Sequence, residues 1–361
     1  MSTLFTPFAL GLRALANRIT IAPMCQYSSE NGQANDWHQM HLGHLAMSGA
    51  AMLTLEASAV SPEGRISSHD LGIWSDEHAD ALAPVLASVR RHSPIKLAIQ
   101  IAHAGRKASS GAPWEGGSNI PLSAAGWQTV GPSAQPYGEG DTVPLALDAA
   151  GLGKVLDDFV QAARRSAALG FDAIEVHAAH GYLLHQFLSS LSNRRNDAYG
   201  GALENRMRFP LEVFAAVRDA VPASVAVGIR ISATDWVEGG WDLEQSVVFS
   251  RALQQAGADF VHVSSGGLTP RQQIIVAPNY QIPFAQRIKD DTGMPTIAVG
   301  MITEPRQADE IVASGKADLV ALARAMVFNP RWPWHAAVAL GAQVQAPRQY
   351  WRSPREFKHL Y

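Results

Sequence analysis

The chain has 361 residues, 47% of them apolar, enough to bury a large core; length alone suggests two or three domains, but repeated strand–helix units often exceed that prior within one barrel. A formal net charge of -3 and a pI near 6.5 leave no basic surplus to neutralise nucleic-acid phosphates. The single cysteine, Cys25, excludes an internal disulfide and any four-thiolate metal or iron–sulfur site, and a lone thiol suits a reducing compartment.

Met1–Ala9 lacks the basic segment and apolar run of a signal peptide. No stretch approaches the roughly 18 uninterrupted apolar residues of a membrane span. The expectation is a soluble, cytoplasmic protein without nucleic-acid or membrane partners.

Eight short β-branched runs follow one another: Ile19–Ala22, Met52–Ala57, Lys96–Ile101, Ala173–His177, Val225–Ile231, Phe260–Ser264, Thr296–Val299 and Leu319–Leu322. Several are apolar throughout, as parallel strands buried on both faces require. Helical patterns lie between them. Lys154–Leu169 carries Val155, Phe159, Ala162, Ala163 and Ser166 on one face. Phe209–Ala220 follows in the same alternation. Asp242 reads as the N-cap of Leu243–Ala256, with Gln245 completing a capping box. Thr303 reads as the N-cap of a helix with Pro305 in its first turn, running through Ser314. The phrases Leu169-Gly-Phe-Asp, Ala256-Gly-Ala-Asp and Ser314-Gly-Lys-Ala-Asp recur, each a helix end, a glycine C-cap and an Asp before an apolar strand. One repeated unit with eight strands predicts an α/β fold of the closed (β/α)₈ TIM-barrel type.

Two stretches break the rhythm. His103–Leu147, after the third strand, is rich in Gly, Pro and Ser and holds Trp114 and Trp127. It is either a cover over the site or a floppy insertion. The tail, residues 343–361, pairs aromatic residues with arginine around Tyr350, Trp351 and Arg352, the composition of an interface anchor. It either meets another subunit or packs on its own barrel.

Barrel chemistry gathers at the C-terminal ends of strands. The fourth strand ends in Glu175-Val-His177-Ala-Ala-His180-Gly-Tyr182. Imidazole N–H groups can polarise a carbonyl or nitro oxygen, and a phenol can donate a proton. Two histidines three apart also resemble half of a metal site, so a metal-dependent hydrolase built on His177 and His180 stays open as the alternative. Gln100, ending the third strand, offers a donor and an acceptor that suit a flavin or pyrimidine edge. Arg230 in the apolar fifth strand needs an anion. That anion is either a reduced flavin or a carboxylate such as Glu175. Gly300 and Arg324 follow the seventh and eighth strands, where barrels commonly bind phosphate. No P-loop or Gly-rich dinucleotide fingerprint is present.

With these residues assembled, the chain resembles the Old Yellow Enzyme family, and within it the bacterial YqjM-like and xenobiotic-reductase-like ene-reductases. The resemblance runs from Leu4 to the tail. It is carried by Asn17-Arg-Ile, Ala22-Pro-Met-Cys-Gln-Tyr27, Glu56-Ala-Ser-Ala-Val, Pro62-Glu-Gly-Arg-Ile, Gln100 through Lys107, Glu175 through Tyr182, Asp197-Ala-Tyr-Gly-Gly, Glu204-Asn-Arg and Ala298-Val-Gly-Met-Ile-Thr303.

The resemblance implies one FMN-binding domain over residues 1–361, with 104–147 as a cover insertion. It implies non-covalent FMN held by Ala22, Pro23, Met24, Cys25, Ala57, Gln100, Arg230, Gly300, Ala323 and Arg324. Cys25 would tune the flavin and touch substrate. His177 and His180 would bind the activating oxygen, Tyr182 would donate the proton, and Tyr27 would contact substrate. NADPH, or NADH, would be the hydride donor, and enones, enals, maleimides or nitroalkenes the acceptors. A homodimer or homotetramer is implied, with Arg352 reaching the neighbouring site. Many relatives have Gly-Arg where this chain has Ala323-Arg324, so a methyl group would crowd the phosphate loop. Relatives with an iron–sulfur cluster need cysteines that this chain lacks.

Overall fold

The computed structural model describes residues 2–352, so the end of the expected tail, 353–361, lies outside the described residues. Eight parallel strands close into a barrel: β1 (Ile19–Ile21), β2 (Met52–Ala59), β3 (Lys96–Ala102), β4 (Ala173–Ala178), β5 (Ala226–Ser232), β6 (Phe260–Ser264), β7 (Thr296–Ala298) and β8 (Leu319–Leu322). Each pairs with its sequence neighbour, and β8 closes on β1. All but Lys96, at the start of β3, are buried along their length, which is why these runs are apolar rather than alternating.

The helices α1 (Asp36–Ala46), α2 (Asp76–His92), α3 (Ala149–Ala168), α4 (Leu183–Leu188), α5 (Leu203–Ala220), α6 (Leu243–Gln255), α7 (Ile282–Thr292), α8 (Pro305–Ala313), α9 (Arg324–Phe328) and α10 (Trp332–Leu340) fill the connections. The repeated Gly-to-Asp phrase has a physical purpose. Asp172 accepts from Leu97 N at 3.0 Å, Asp259 from Val227 N at 2.8 Å and Asp318 from Thr296 N at 3.0 Å. Each aspartate thus satisfies a backbone donor at the start of an adjacent strand.

Several boundaries differ from the sequence reading, among them the start of α5, which lies at Leu203 and not at Phe209. α3 starts at Ala149, capped by Asp148 accepting from Gly151 N at 2.8 Å, because a good cap carries the helix through two glycines. The N-cap of α8 is Glu304, not Thr303, since Pro305 occupies the first helical position. Thr303 instead donates its N–H to Gln307 Oε1 at 3.0 Å.

The stretch after β3 is anchored. Arg106 donates to the carbonyls of Gln135, Pro136 and Leu268. Trp127 Nε1 donates to Glu63 O at 3.0 Å, and Arg65 lies over both Trp127 and Trp74, at 5.2 and 5.5 Å from the ring centres. Trp127→Ala should therefore free this stretch locally. Losing one part-buried hydrogen bond and a cation–π contact amounts to about 1–3 kcal/mol, or roughly a 5- to 150-fold rise in local opening. Limited proteolysis should show faster cleavage within 113–126 with a small change in global melting. Unchanged cleavage would mean the anchor lies elsewhere.

The tail packs on its own barrel at the end away from the strand C-termini. Residues 343–348 and Trp351 line a cleft with Asn17, Gly49–Ala51 and His92–Lys96, the segments that lead into β1, β2 and β3. Arg331 stacks on Trp334 and Tyr350, at 5.0 and 5.4 Å.

Candidate active site

At the C-terminal mouth, β4 delivers His177 and the turn after it delivers His180 and Tyr182. The turn is left-handed at His180 (φ 56°) and Gly181 (φ 77°), which swings both side chains back over the barrel. His177 meets His180 at 5.2 Å and Tyr182 at 4.8 Å between ring centres, both edge to face. His177 Nδ1 accepts from Ala179 N at 3.2 Å, so its proton sits on Nε2 as a donor. His180 Nε2 lies 2.8 Å from Ser264 Oγ.

Burial, reinforced by the Arg230 charge, holds both histidines well below the usual imidazole range. They are neutral donors rather than cations at physiological pH. Burial also pushes the Tyr182 hydroxyl well above its ordinary value, with Cys25, Tyr27 and Asp70 adding to it and Arg230 opposing. A phenol so held keeps its proton until a stronger base appears.

Beneath them lies a polar layer in which the sequence reading missed His262. Glu175 on β4 accepts from Gln100 Nε2 at 2.7 Å and meets His262 Nδ1 on β6 at 2.8 Å. Burial raises Glu175, but His262, Arg230 and Gln100 outweigh it and hold the carboxylate below its usual range. Arg230 on β5 lies in register between His177 and His262. It forms no hydrogen bond or ion pair with any described residue, and its Nε is buried and unpaired. Of the two anions considered for Arg230, Glu175 is already engaged elsewhere. Burial lowers the guanidinium from its ordinary value, while Glu175 raises it from a distance. A buried, unpaired cation is costly unless an anion arrives.

The other expected residues gather around this mouth. Ala22 to Tyr27 follow β1, and Gln26 N donates to Glu56 Oε2 at 2.7 Å, which ties that segment to β2. A bulge between Leu55 and Ala57 sets Ala57 opposite Gln100. Cys25 is partly exposed, and desolvation with the Asp70 and Glu56 charges pushes its thiol well up. Cys25 is therefore a thiol and not a resting thiolate nucleophile. Trp114, from the stretch after β3, meets Tyr27 edge to face at 5.8 Å.

Gly300 follows β7 at φ 119°, where a Cβ would lie 2.4 Å from Gln281 Nε2. Gln281 in turn donates to Val299 O at 2.8 Å. Ala323 packs on the apolar cluster containing Ala22, and Arg324, exposed, makes its one side-chain hydrogen bond among the described residues to the Met301 sulfur, at 3.4 Å. Arg352 is not brought to this mouth: it adjoins Trp351 at the other end of its own barrel. Among the described residues no three His, Cys, Asp or Glu side chains gather where they could share a metal ion. The hydrolase alternative has no ligand set.

Residues 3–343 match the NADH:flavin oxidoreductase / NADH oxidase family. The chain belongs to that family. It is 42% identical over 356 residues to the NADPH dehydrogenase of Geobacillus thermodenitrificans (strain NG80-2), covering 98% of this chain and 99% of the relative. It is 40% identical to the NADPH dehydrogenase of Bacillus subtilis (strain 168), covering 97% and 98%. Among solved structures, morphinone reductase aligns with a TM-score of 0.78 at 29% identity, over 99% of this chain and 93% of that one. The same enzyme in complex with tetrahydroNAD aligns with a TM-score of 0.77 at 28% identity, over 99% and 94%. This family member is thus an oxidoreductase of the Old Yellow Enzyme kind, close to the NADPH dehydrogenases. No described helix is long and apolar enough to cross a membrane.

The buried histidines of this member carry a stability consequence. His177 and His180 are held well below their usual range, and His103 is lowered to about 4 by burial. Their folded pKa values lie below the unfolded value near 6.5, so the unfolded chain binds more protons as pH falls. The stability they confer is whole above pH ~6.5 and is lost on the way down. Asp70, raised by burial to about 7, opposes with a single proton of the other sign. The flavin-free protein should lose stability steadily from pH 7 to 5, by up to about 1.4 kcal/mol per pH unit for each titrating histidine. Urea denaturation at fixed ionic strength would show it, and a flat profile would mean that the rings are protonated in the fold.

Proposed function

We propose that this enzyme is an FMN-dependent NAD(P)H:acceptor oxidoreductase that reduces the C=C bond of α,β-unsaturated carbonyl or nitro compounds. The observation that carries the reading is the buried, unpaired Arg230, in register with His177 on the neighbouring strand and so beside the cluster that His177 forms with His180 and Tyr182. A flavin has an anionic edge when reduced, and such an edge suits that guanidinium.

The residues present fit FMN. Arg230 supplies the cation, and Gln100, with Nε2 committed to Glu175, keeps Oε1 for a ring N–H. Ala22, Pro23, Met24, Cys25 and Ala57 line the approach. Gly300 gives a backbone close enough to cradle a phosphate, and Arg324, with no carboxylate partner among the described residues, gives it a charge. Bound FMN would accept hydride from NADPH or NADH and supply it to the acceptor's β-carbon. The complex of morphinone reductase with tetrahydroNAD supports a nicotinamide donor.

The protein's share follows from proton positions. His177 donates Nε2–H to the acceptor oxygen. His180 Nε2 is taken up by Ser264 Oγ, which leaves the Nδ1 edge of the His180 ring for the same oxygen. Charge developing on that oxygen is thereby stabilised. Tyr182 gives its proton to the α-carbon. Tyr27 bounds the substrate from the other side, and Cys25 touches it as a neutral thiol.

Residues 104–147 act as the cover of a single domain. Arg352 completes the site only from a neighbouring subunit of a homodimer or homotetramer, since its own barrel holds it at the far end. The unbridged Cys25 supports a cytoplasmic location.

The deciding experiment is the absorption spectrum of the purified protein, followed by anaerobic titration with NADPH and then 2-cyclohexenone. The flavin bands should bleach with NADPH and return with the enone. A colourless, zinc-loaded protein would sink the reading. A yellow one that the enone does not reoxidise would be a flavin binder rather than an ene-reductase.

A further inference from the structure

We propose that the buried Asp235–His185 pair positions Tyr182, by fixing which ring nitrogen of His185 faces the turn that carries Tyr182. The inference rests on the ene-reductase reading and adds two residues to its machinery as positioning residues.

The turn needs holding. His180 sits at φ 56° and Gly181 at φ 77°, and a left-handed residue other than glycine costs roughly 1–2 kcal/mol. Backbone and side-chain contacts hold the turn on several sides. His180 N donates to Ser232 Oγ at 2.9 Å, Lys107 Nζ to His180 O at 2.9 Å and Gln186 Nε2 to Gly181 O at 2.7 Å. Gly181 N, the donor immediately before Tyr182, goes to His185 Nδ1 at 2.9 Å.

Only one tautomer allows that last bond. An imidazole that accepts at Nδ1 carries its proton on Nε2. His185 Nε2 lies 2.9 Å from Asp235 Oδ1 in a bent contact, and both side chains are wholly buried. Asp235 is itself locked, since Oδ2 accepts from Trp241 N at 2.7 Å and from Ser189 Oγ at 2.6 Å. The chain of polarity therefore runs from Trp241 N through Asp235 and His185 to Gly181 N.

Asp235→Asn reverses it. Trp241 N can only donate, so the amide oxygen of the new residue must face Trp241. Its NH₂ then faces His185 Nε2. His185 must move its proton to Nδ1, and two N–H groups confront each other at Gly181. The turn shifts, and Tyr182 with it. A misplacement near 1 Å costs on the order of 100-fold in rate.

The test uses the FMN-loaded protein, reduced with dithionite so that no nicotinamide is involved. Reoxidation by 2-cyclohexenone needs a proton delivered to carbon. Reoxidation by ferricyanide, two equivalents each taking one electron, does not. Asp235→Asn should slow the first on the order of 100-fold and leave the second unchanged. His185→Gln keeps a donor toward Asp235 but loses the acceptor at the Nδ1 position. It should behave the same way, and it stands in should Asp235→Asn not fold. The double variant Asp235→Asn with His185→Asn puts an amide oxygen near the Nδ1 place with no tautomer to invert. It should recover most of the enone rate. In ¹⁵N-histidine NMR of the flavin-free protein, the His185 proton should sit on Nε2, and on Nδ1 in Asp235→Asn.

Equal slowing of both reactions, no slowing, no recovery in the double variant, or an unchanged tautomer would overturn the role. A wild type that binds FMN but is never reoxidised by 2-cyclohexenone overturns the function, and this role with it. A wild type that turns over beside an indifferent Asp235→Asn overturns this role alone.

Discussion

Tyr182→Phe should slow enone reduction by roughly 100- to 10,000-fold, the range for losing a positioned general acid, while FMN stays bound. Phenylalanine keeps the ring that meets His177 at 4.8 Å, and the backbone bond from residue 182 N to Ala179 O at 3.1 Å is untouched. The hydroxyl itself donates to no described residue, so its removal orphans no partner inside the protein. What disappears is a proton held ready by burial, because the site keeps the phenol well above its ordinary value. Reduction of the flavin by NADPH should be near wild type. The check is stopped-flow measurement of both half-reactions with the flavin content recorded. Loss of flavin, or equal slowing of both halves, would remove Tyr182 as the proton donor.

The residues of that prediction were legible in the sequence for a physical reason. A buried parallel strand is apolar, so His177 and Arg230 stood out against their neighbours, and the barrel rule placed strand ends at the mouth. The eight strands were legible for the same reason. The repeated Gly-to-Asp phrase was visible as a pattern, but its purpose, one carboxylate capping a neighbouring strand, needed the register. His262 was hidden because its partner Glu175 is 87 residues away. A signal existed: a histidine within Phe260-Val-His-Val-Ser is as anomalous as Arg230. Asp235 and His185 were hidden twice over, being 0% exposed and joined only by the fold. The tail was legible only as a composition. That composition left a subunit anchor and packing on its own barrel both open, and only the cleft that 343–348 and Trp351 line with Asn17 and Lys96 sets this part of it at the far end of its own barrel.

Arg230→Met should produce two effects of opposite sign. In the flavin-free protein Arg230 is a buried cation without a partner, and Glu175 keeps His262 and Gln100 when the guanidinium is gone. Replacing such a charge with an apolar side chain of similar length should stabilise the flavin-free fold, by about 1–3 kcal/mol. In the loaded protein the same change removes a charge-assisted hydrogen bond, which contributes about 1.5–3 kcal/mol, so FMN affinity should fall about 10- to 100-fold. Thermal melting with and without FMN separates the two. The flavin-free melting point should rise, and the increment that FMN adds should shrink. Fluorescence titration with FMN should give the weaker affinity directly. The competing account makes Arg230 a structural partner of Glu175 across the barrel, and it requires the flavin-free melting point to fall. The sign of that one shift therefore weighs the two accounts: with packing kept by a side chain of similar length, a rise fits a cation that waits for the flavin and a fall fits a cation whose charge Glu175 uses in the fold.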